Sequence, residues 1–277
     1  MLDRRHALAV LAAAALPRGA HADVAPQRSE IRDSLARRFT DAGTVGTFVG
    51  YKTDDYLIVA SDAVRSGAAI LPASTFKIAN SLIALDTGVV ADPDQDVFKW
   101  DGVSRAFPDW NKDHTLRSAI AASAVPVYQE IARRIGAERM QRYVNLLDYG
   151  NRDIGGGIDR FWLTGAMRID PMQQIDFLDR LRRGALPVAK RAQDLTRDIL
   201  PVEKAGAAVI RYKTGLVGVD DHTAAGEARP SIGWLVGWAE TAREQTVFAL
   251  NLDIRAPRHT AARMPLSKQL LSDIGAI

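Results

Sequence analysis

Ser74-Thr75-Phe76-Lys77 sets a hydroxyl and an amine three residues apart, and no other serine in the chain has a lysine at that spacing. On a helix the spacing puts both side chains on one face, a turn apart. A serine in the first turn also lies at the positive end of the helix dipole, beside N–H groups that have no intrahelical partner. Lysine serves as a base only when it is neutral near pH 7, and apolar burial lowers its pKa in that direction. Such a pair gives an activated nucleophile without histidine. Taken alone, Ser74 could equally cap the helix and Lys77 could equally be a surface lysine.

Three further patterns are modest one by one. Lys213-Thr214-Gly215 closes a predicted strand. A lysine beside a hydroxyl suits a carboxylate ligand, and Gly215 would let that ligand lie along the backbone, although a strand turning at glycine reads the same way. Ser123-Ala124-Val125 falls between two predicted helices, where the hydroxyl could face a cleft or cap the helix that starts at Pro126. Tyr149-Gly150-Asn151 reads by itself as a turn.

The remaining composition narrows the chemistry. The 277 residues include no cysteine, which excludes Cys-ligated metals, iron–sulfur clusters and a cysteine nucleophile. The five histidines show no metal-ligand spacing, and no serine sits in G-x-S-x-G. A base other than histidine is therefore expected. Lys and Arg number 36 against 33 Asp and Glu, and a net charge of +3 over this length makes no case for nucleic acid. With 47% hydrophobic and 25% charged residues, the chain has globular proportions.

These groups must be held by folded elements. A helix is predicted over 30–41, and a hairpin over 43–52 and 56–61, divided at Thr53-Asp54-Asp55. Helices follow over 74–86, 115–122, 126–146, 170–183 and 188–200. Strands return over 207–213, 232–241 and 245–254, with a hairpin loop over 220–230, and a last helix is predicted over 261–272. Strands at both ends with helices between them indicate an α+β fold. The end segments, about 23–73 and 205–277, would share one antiparallel sheet flanked by terminal helices. Residues about 74–204 would form an inserted all-helical subdomain, with a ligand cleft between the two.

Residues 1–22 read as an export signal. Arg4 and Arg5 precede the apolar run Ala7–Leu16, and Ala20-His21-Ala22 offers an A-x-A cleavage site. The run is far shorter than the ~20 residues that span a bilayer. The arginine pair leaves a twin-arginine route open beside the general one. A periplasmic protein without a membrane anchor is expected. Those 22 residues hold three Arg and one Asp, so their removal takes the net charge from +3 to +1.

Taken together, S-x-x-K, S-x-V, Y-G-N and K-T-G stand in the order and at the separations of the class D serine β-lactamases, the oxacillinase group, and the chain resembles that family from about Ser34 to its C-terminus. Flanking residues agree: Pro72-Ala73, Trp110, Asp113-His114-Thr115-Leu116, Phe161-Trp162-Leu163, Gly233-Trp234 and Gly237-Trp238. The resemblance implies the fold shared by serine β-lactamases and penicillin-binding transpeptidases, and hydrolysis of penicillin-type rings.

By the family's pattern Ser74 is the nucleophile. Lys77 is carboxylated by CO2 or bicarbonate, with no other cofactor and no metal, and acts as general base. Ser123 relays a proton to the leaving nitrogen. Lys213, Thr214 and Arg263 meet the substrate carboxylate, with Arg255 and Arg258 as rivals to Arg263. The N–H groups of Ser74 and Leu216 form the oxyanion hole, with Gly215 between the strand's lysine and Leu216. Trp162 steadies the carboxylated lysine, Val125 and Leu163 wall it, and Tyr149 is mainly structural. Leu235 departs from an aromatic common in the family. The expected partner is a small β-lactam, and a homodimer is compatible with the resemblance. A β-lactam sensor that is acylated without turnover is the competing reading. A peptidoglycan transpeptidase fits less well, because such proteins commonly carry S-x-N where this chain has Ser123-Ala124-Val125.

Overall fold

The computed structural model describes residues 28–218 and 231–277. The predicted signal over 1–22 lies outside them, as does the loop predicted over 220–230. The elements in chain order are β1 (Arg28–Ile31), α1 (Asp33–Asp41), β2 (Gly46–Lys52), β3 (Leu57–Ala60), α2 (Lys77–Asp86), α3 (Leu116–Ala121), α4 (Val125–Ile135), α5 (Ala137–Leu146), α6 (Pro171–Arg182), α7 (Lys190–Asp198), β4 (Val202–Ala205), β5 (Ala208–Leu216), β6 (Ser231–Glu240), β7 (Gln245–Ile254) and α8 (Pro257–Asp273).

The strands make one seven-stranded sheet in the order β1-β3-β2-β7-β6-β5-β4. The fold is α+β. The sheet is antiparallel except at its edge, where β1 pairs parallel to β3. β1 takes Glu30 and Ile31 out of the helix predicted from residue 30. Four residues are too short for strand periodicity to show against the helical spacing that follows.

The central strands β6 and β7 are buried along nearly their whole length because helices cover both faces. One face carries Trp234, Val236, Trp238, Val247 and Ala249 into a core shared with α2, α4 and α6. The other carries Leu235, Phe248, Leu250 and Leu252 against α1 and α8. Leu235 thus points into the core on the α8 side.

Three local departures bear on the site. The helix predicted over 126–146 is two helices, because Gly136 adopts φ +81° and breaks the hydrogen-bond ladder. The helix predicted from Ser74 begins with a 3-10 turn over Ala73–Phe76 that runs into α2. β5 continues through Leu216, so Lys213-Thr214-Gly215 lies inside a strand instead of ending one. Proline and an Asp170 capping box that accepts the Gln173 N–H open α6 at the predicted boundary.

Candidate active site

The 3-10 turn carries Ser74 beneath the edge of β5. Its start is strained: Ala73 has φ +48°, a region that costs an L-residue roughly 1–2 kcal/mol. The Ala73 N–H donates to Trp162 O at 2.9 Å and the Thr75 N–H to Pro72 O at 3.2 Å. β5 lies against this turn. A Cβ on Gly215 would stand 3.1 Å from both Pro72 O and Thr75 Cγ2, so glycine is what permits the approach. The neighbours such a Cβ would meet belong to the turn that carries Ser74 and to Trp234.

Lys77 opens α2 on the same face as Ser74, and its side chain is fully buried. Nζ lies 2.9 Å from Ser74 Oγ and 3.0 Å from Ser123 Oγ, and it donates to Ser123 O at 2.7 Å. Burial, reinforced by the neighbouring Lys213 charge, lowers its pKa well below the lysine norm. Ser123 reaches this position through φ +53° in the link between α3 and α4. It does not cap α4: Ala124 occupies the cap position.

Lys213 is also buried. Its Nζ donates to Ser123 Oγ at 3.0 Å and to Thr214 O at 3.0 Å. Burial and then the Arg263 charge bring its pKa down to about 7. Ser74, Lys77, Ser123 and Lys213 thus form one hydrogen-bonded chain between α2, the α3–α4 link and β5. Arg263 on α8 crosses the sheet edge and donates to Gly215 O at 2.7 Å and Trp234 O at 3.2 Å. Its rivals lie elsewhere. Arg255 pairs with Asp253 at 3.1 Å, and Arg258 lies against the turn at Gly43.

The Leu216 N–H has a defined direction. The Val217 N–H donates to Ile232 O at 2.9 Å, and Leu216 stands opposite Gly233. In an antiparallel ladder the residue before a bonded pair turns its N–H to the strand's other edge. β4 pairs only as far as Arg211, so at Leu216 that edge is not covered by β4. The Leu216 side chain is exposed, as expected for a residue bordering a cleft.

Trp162 is fully buried and stacks on Phe76, with ring centroids 5.5 Å apart. Its Nε1 has no hydrogen-bond partner among the described residues. Leu163 follows it, half-buried against the core, and Val125 begins α4 two residues after Ser123. Tyr149-Gly150-Asn151 is more than a turn. Asn151 donates Nδ2–H to Ala166 O at 2.9 Å and accepts the Arg168 N–H at 2.9 Å, and a Cβ on Gly150 would stand 2.3 Å from Arg168 O. The motif therefore pins the far end of the loop that carries Trp162.

The described histidines play no part in the hydrogen-bonded chain. His114 bridges Ser118 and Asp109, and His259 accepts N–H groups at the start of α8. Trp110, on the rim, donates to Ala122 O at 3.1 Å. Sequence reasoning missed Gln174 of α6, which is buried and donates to Thr75 Oγ1 at 2.9 Å. No local pattern marks a contact across that separation.

Residues 41–274 match the penicillin-binding protein transpeptidase domain. The chain is 41% identical to β-lactamase OXA-5 of Pseudomonas aeruginosa over 249 residues, 89% of this chain and 91% of that protein. It is 42% identical to OXA-48 of Klebsiella pneumoniae over 233 residues, 84% of each. Among solved structures, the class D β-lactamase YbXI from Nostoc superposes with TM-score 0.81 at 41% identity, covering 88% of this chain and 99% of that one. FUS-1 (OXA-85) from Fusobacterium nucleatum gives TM-score 0.83 at 35% identity, covering 90% and 100%.

Proposed function

The chain belongs to the class D β-lactamases, which are hydrolases, and from that premise we propose that it opens penicillin-type rings through an acyl-enzyme on Ser74, with Lys77 as the site of the general base. The observation that carries this reading is the hydrogen-bonded chain Ser74–Lys77–Ser123–Lys213, whose two lysines are buried and in which Lys77, held below its normal pKa, touches a hydroxyl at 2.9 Å.

The surroundings fit a carboxylated lysine. The Lys77 amine is buried and depressed in pKa, which favours the neutral amine that attacks CO2, and the buried Nε1–H of Trp162 is a donor without an acceptor among the described residues. Carboxylation would supply an oxygen base for both Ser74 and the deacylating water. The remaining steps belong to groups of the chain itself. Lys213, Thr214 and Arg263 hold the substrate carboxylate so that the lactam carbonyl faces Ser74 Oγ. As Ser74 attacks, the N–H groups of Ser74 and Leu216 stabilise the charge on the carbonyl oxygen. The C–N bond breaks, and the Ser123 hydroxyl gives its proton to the ring nitrogen while Lys213 stands ready to replace it. Water then cleaves the ester and frees Ser74.

Action in the periplasm after cleavage near Ala22, and protection of the cell against β-lactams, complete the proposal. Among the described residues no helix is long and apolar enough to cross a membrane.

Turnover is the test. Purified protein mixed with a chromogenic cephalosporin should hydrolyse many equivalents, and Ser74→Ala should lose both hydrolysis and covalent labelling. One equivalent of stable adduct without turnover would identify a sensor instead.

A further inference from the structure

Behind the nucleophile turn, on the side away from the cleft, α6 presents Gln174 and Phe177, one helical turn apart. Phe177 meets Tyr149 edge-on with ring centroids 5.0 Å apart, and Tyr149 meets Phe76 edge-on at 5.4 Å. Gln174 donates Nε2–H to Thr75 Oγ1 at 2.9 Å, and Thr75 Oγ1 donates to Pro72 O at 2.7 Å. Gln174 and Thr75 are both about 1% exposed. α6 itself rests on β7 and β2, so this contact ties the rigid sheet to the residue beside Ser74.

We propose that Gln174 is a positioning residue for the nucleophile: its amide fixes the direction of the Thr75 hydroxyl, and that hydroxyl holds the strained turn that aims Ser74. An amide NH2 can only donate, so the Thr75 hydroxyl must accept from it and send its single proton elsewhere. That proton goes to Pro72 O, which also accepts the Thr75 N–H at 3.2 Å. Two bonds to one carbonyl clamp the turn across Ala73 at φ +48°, and backbone in that region persists only where its surroundings over-determine it. Without Gln174 nothing from α6 commits the Thr75 proton to Pro72 O, and the hydroxyl can turn toward the neighbouring Tyr149, leaving the backbone bond alone to hold the turn. The Ser74 nucleophile would then wander by fractions of an ångström, which a near-attack geometry does not tolerate.

The inference rests on the reading of Ser74 as the acylated residue. Its test is the rate of covalent labelling by a fluorescent penicillin in stopped flow, with the adduct mapped by mass spectrometry. Thermal melts and non-covalent substrate affinity are measured alongside. Gln174→Met and the isosteric Thr75→Val should each slow acylation about 10-fold with affinity unchanged. Thr75→Ser, which keeps the hydroxyl, should restore most of the rate. The double variant Thr75→Val/Gln174→Met should be no slower than either single one, because both break the same link. Folded Gln174→Met and Thr75→Val proteins that acylate at the wild-type rate would overturn the proposal. So would a Thr75→Ser protein as slow as Thr75→Val, because packing alone would then explain the loss. Absence of any adduct on Ser74 in the wild type would instead overturn the nucleophile assignment, a separate result.

Discussion

On the outer face of the helical part of the chain, cations meet carboxylates. Arg117 reaches Asp94 and Asp198 at 2.6 Å each, Glu130 pairs with Arg133 and Arg134, and Lys190 pairs with Asp194 at 2.6 Å. In the cleft the arrangement is reversed. Lys77 and Lys213 are held out of water with Arg263 half-buried nearby, and among the described residues none of the three has a carboxylate within ion-pair distance. Each is accordingly held below its normal pKa by burial. The solvated pairs contribute little, because water already satisfies both partners. Cations taken from water without a carboxylate partner oppose folding, and under the proposed function they would provide a neutral amine beside a hydroxyl and a seat for a substrate's negative charge. The contrast separates groups kept for chemistry from groups that merely cover a surface.

The contrast can be broken first at Lys77. Lys77→Ala should lower turnover by about 10²- to 10⁴-fold, the usual scale for a general base, and a chromogenic cephalosporin assay reads it directly. Arg263→Ala should act on binding instead. Loss of a charged hydrogen-bond donor should raise KM by roughly 10- to 100-fold with a smaller fall in kcat. An unchanged KM would exclude Arg263 from that role.

Lys213 sharpens the comparison through pH. Its pKa is about 7 in the fold against 10.5 in an ordinary lysine. Between those values the unfolded chain holds the extra proton, so stability rises with pH across the window and the penalty is complete below about 7. Denaturant unfolding at pH 7 and pH 9 should therefore show wild type gaining on Lys213→Met. Parallel changes in the two proteins would contradict the shift. The smallest effect belongs to the surface: Arg117→Ala should cost about 1 kcal/mol or less and leave kcat and KM unchanged.

The cleft was more legible in the sequence than its supports. Ser74 and Lys77 are joined by local spacing, and the four motifs keep a fixed order, so residues distant in the chain could be grouped before any contact was known. The apolar runs over 232–241 and 245–254 likewise mark β6 and β7. What escaped depends on contacts between remote segments or on backbone angles. β1 is four residues paired parallel at an edge, Ser123 owes its place to a positive φ, and β5 is drawn past Lys213 by pairing with β6. Gly136 was visible inside a helical pattern, yet glycine is tolerated there, and only its angle makes it a break. Gln174 meets Thr75 across 99 residues with no spacing to announce it.

The central claim is that Lys77 is neutral and dry enough to take up CO2. Carbon-13 NMR of the active enzyme supplied with labelled bicarbonate tests it most directly. A single protein-bound carbamate resonance should appear, vanish in Lys77→Ala, and disappear together with activity as acid protonates the amine. A fully active enzyme with no such resonance, or a resonance that survives Lys77→Ala, would contradict it.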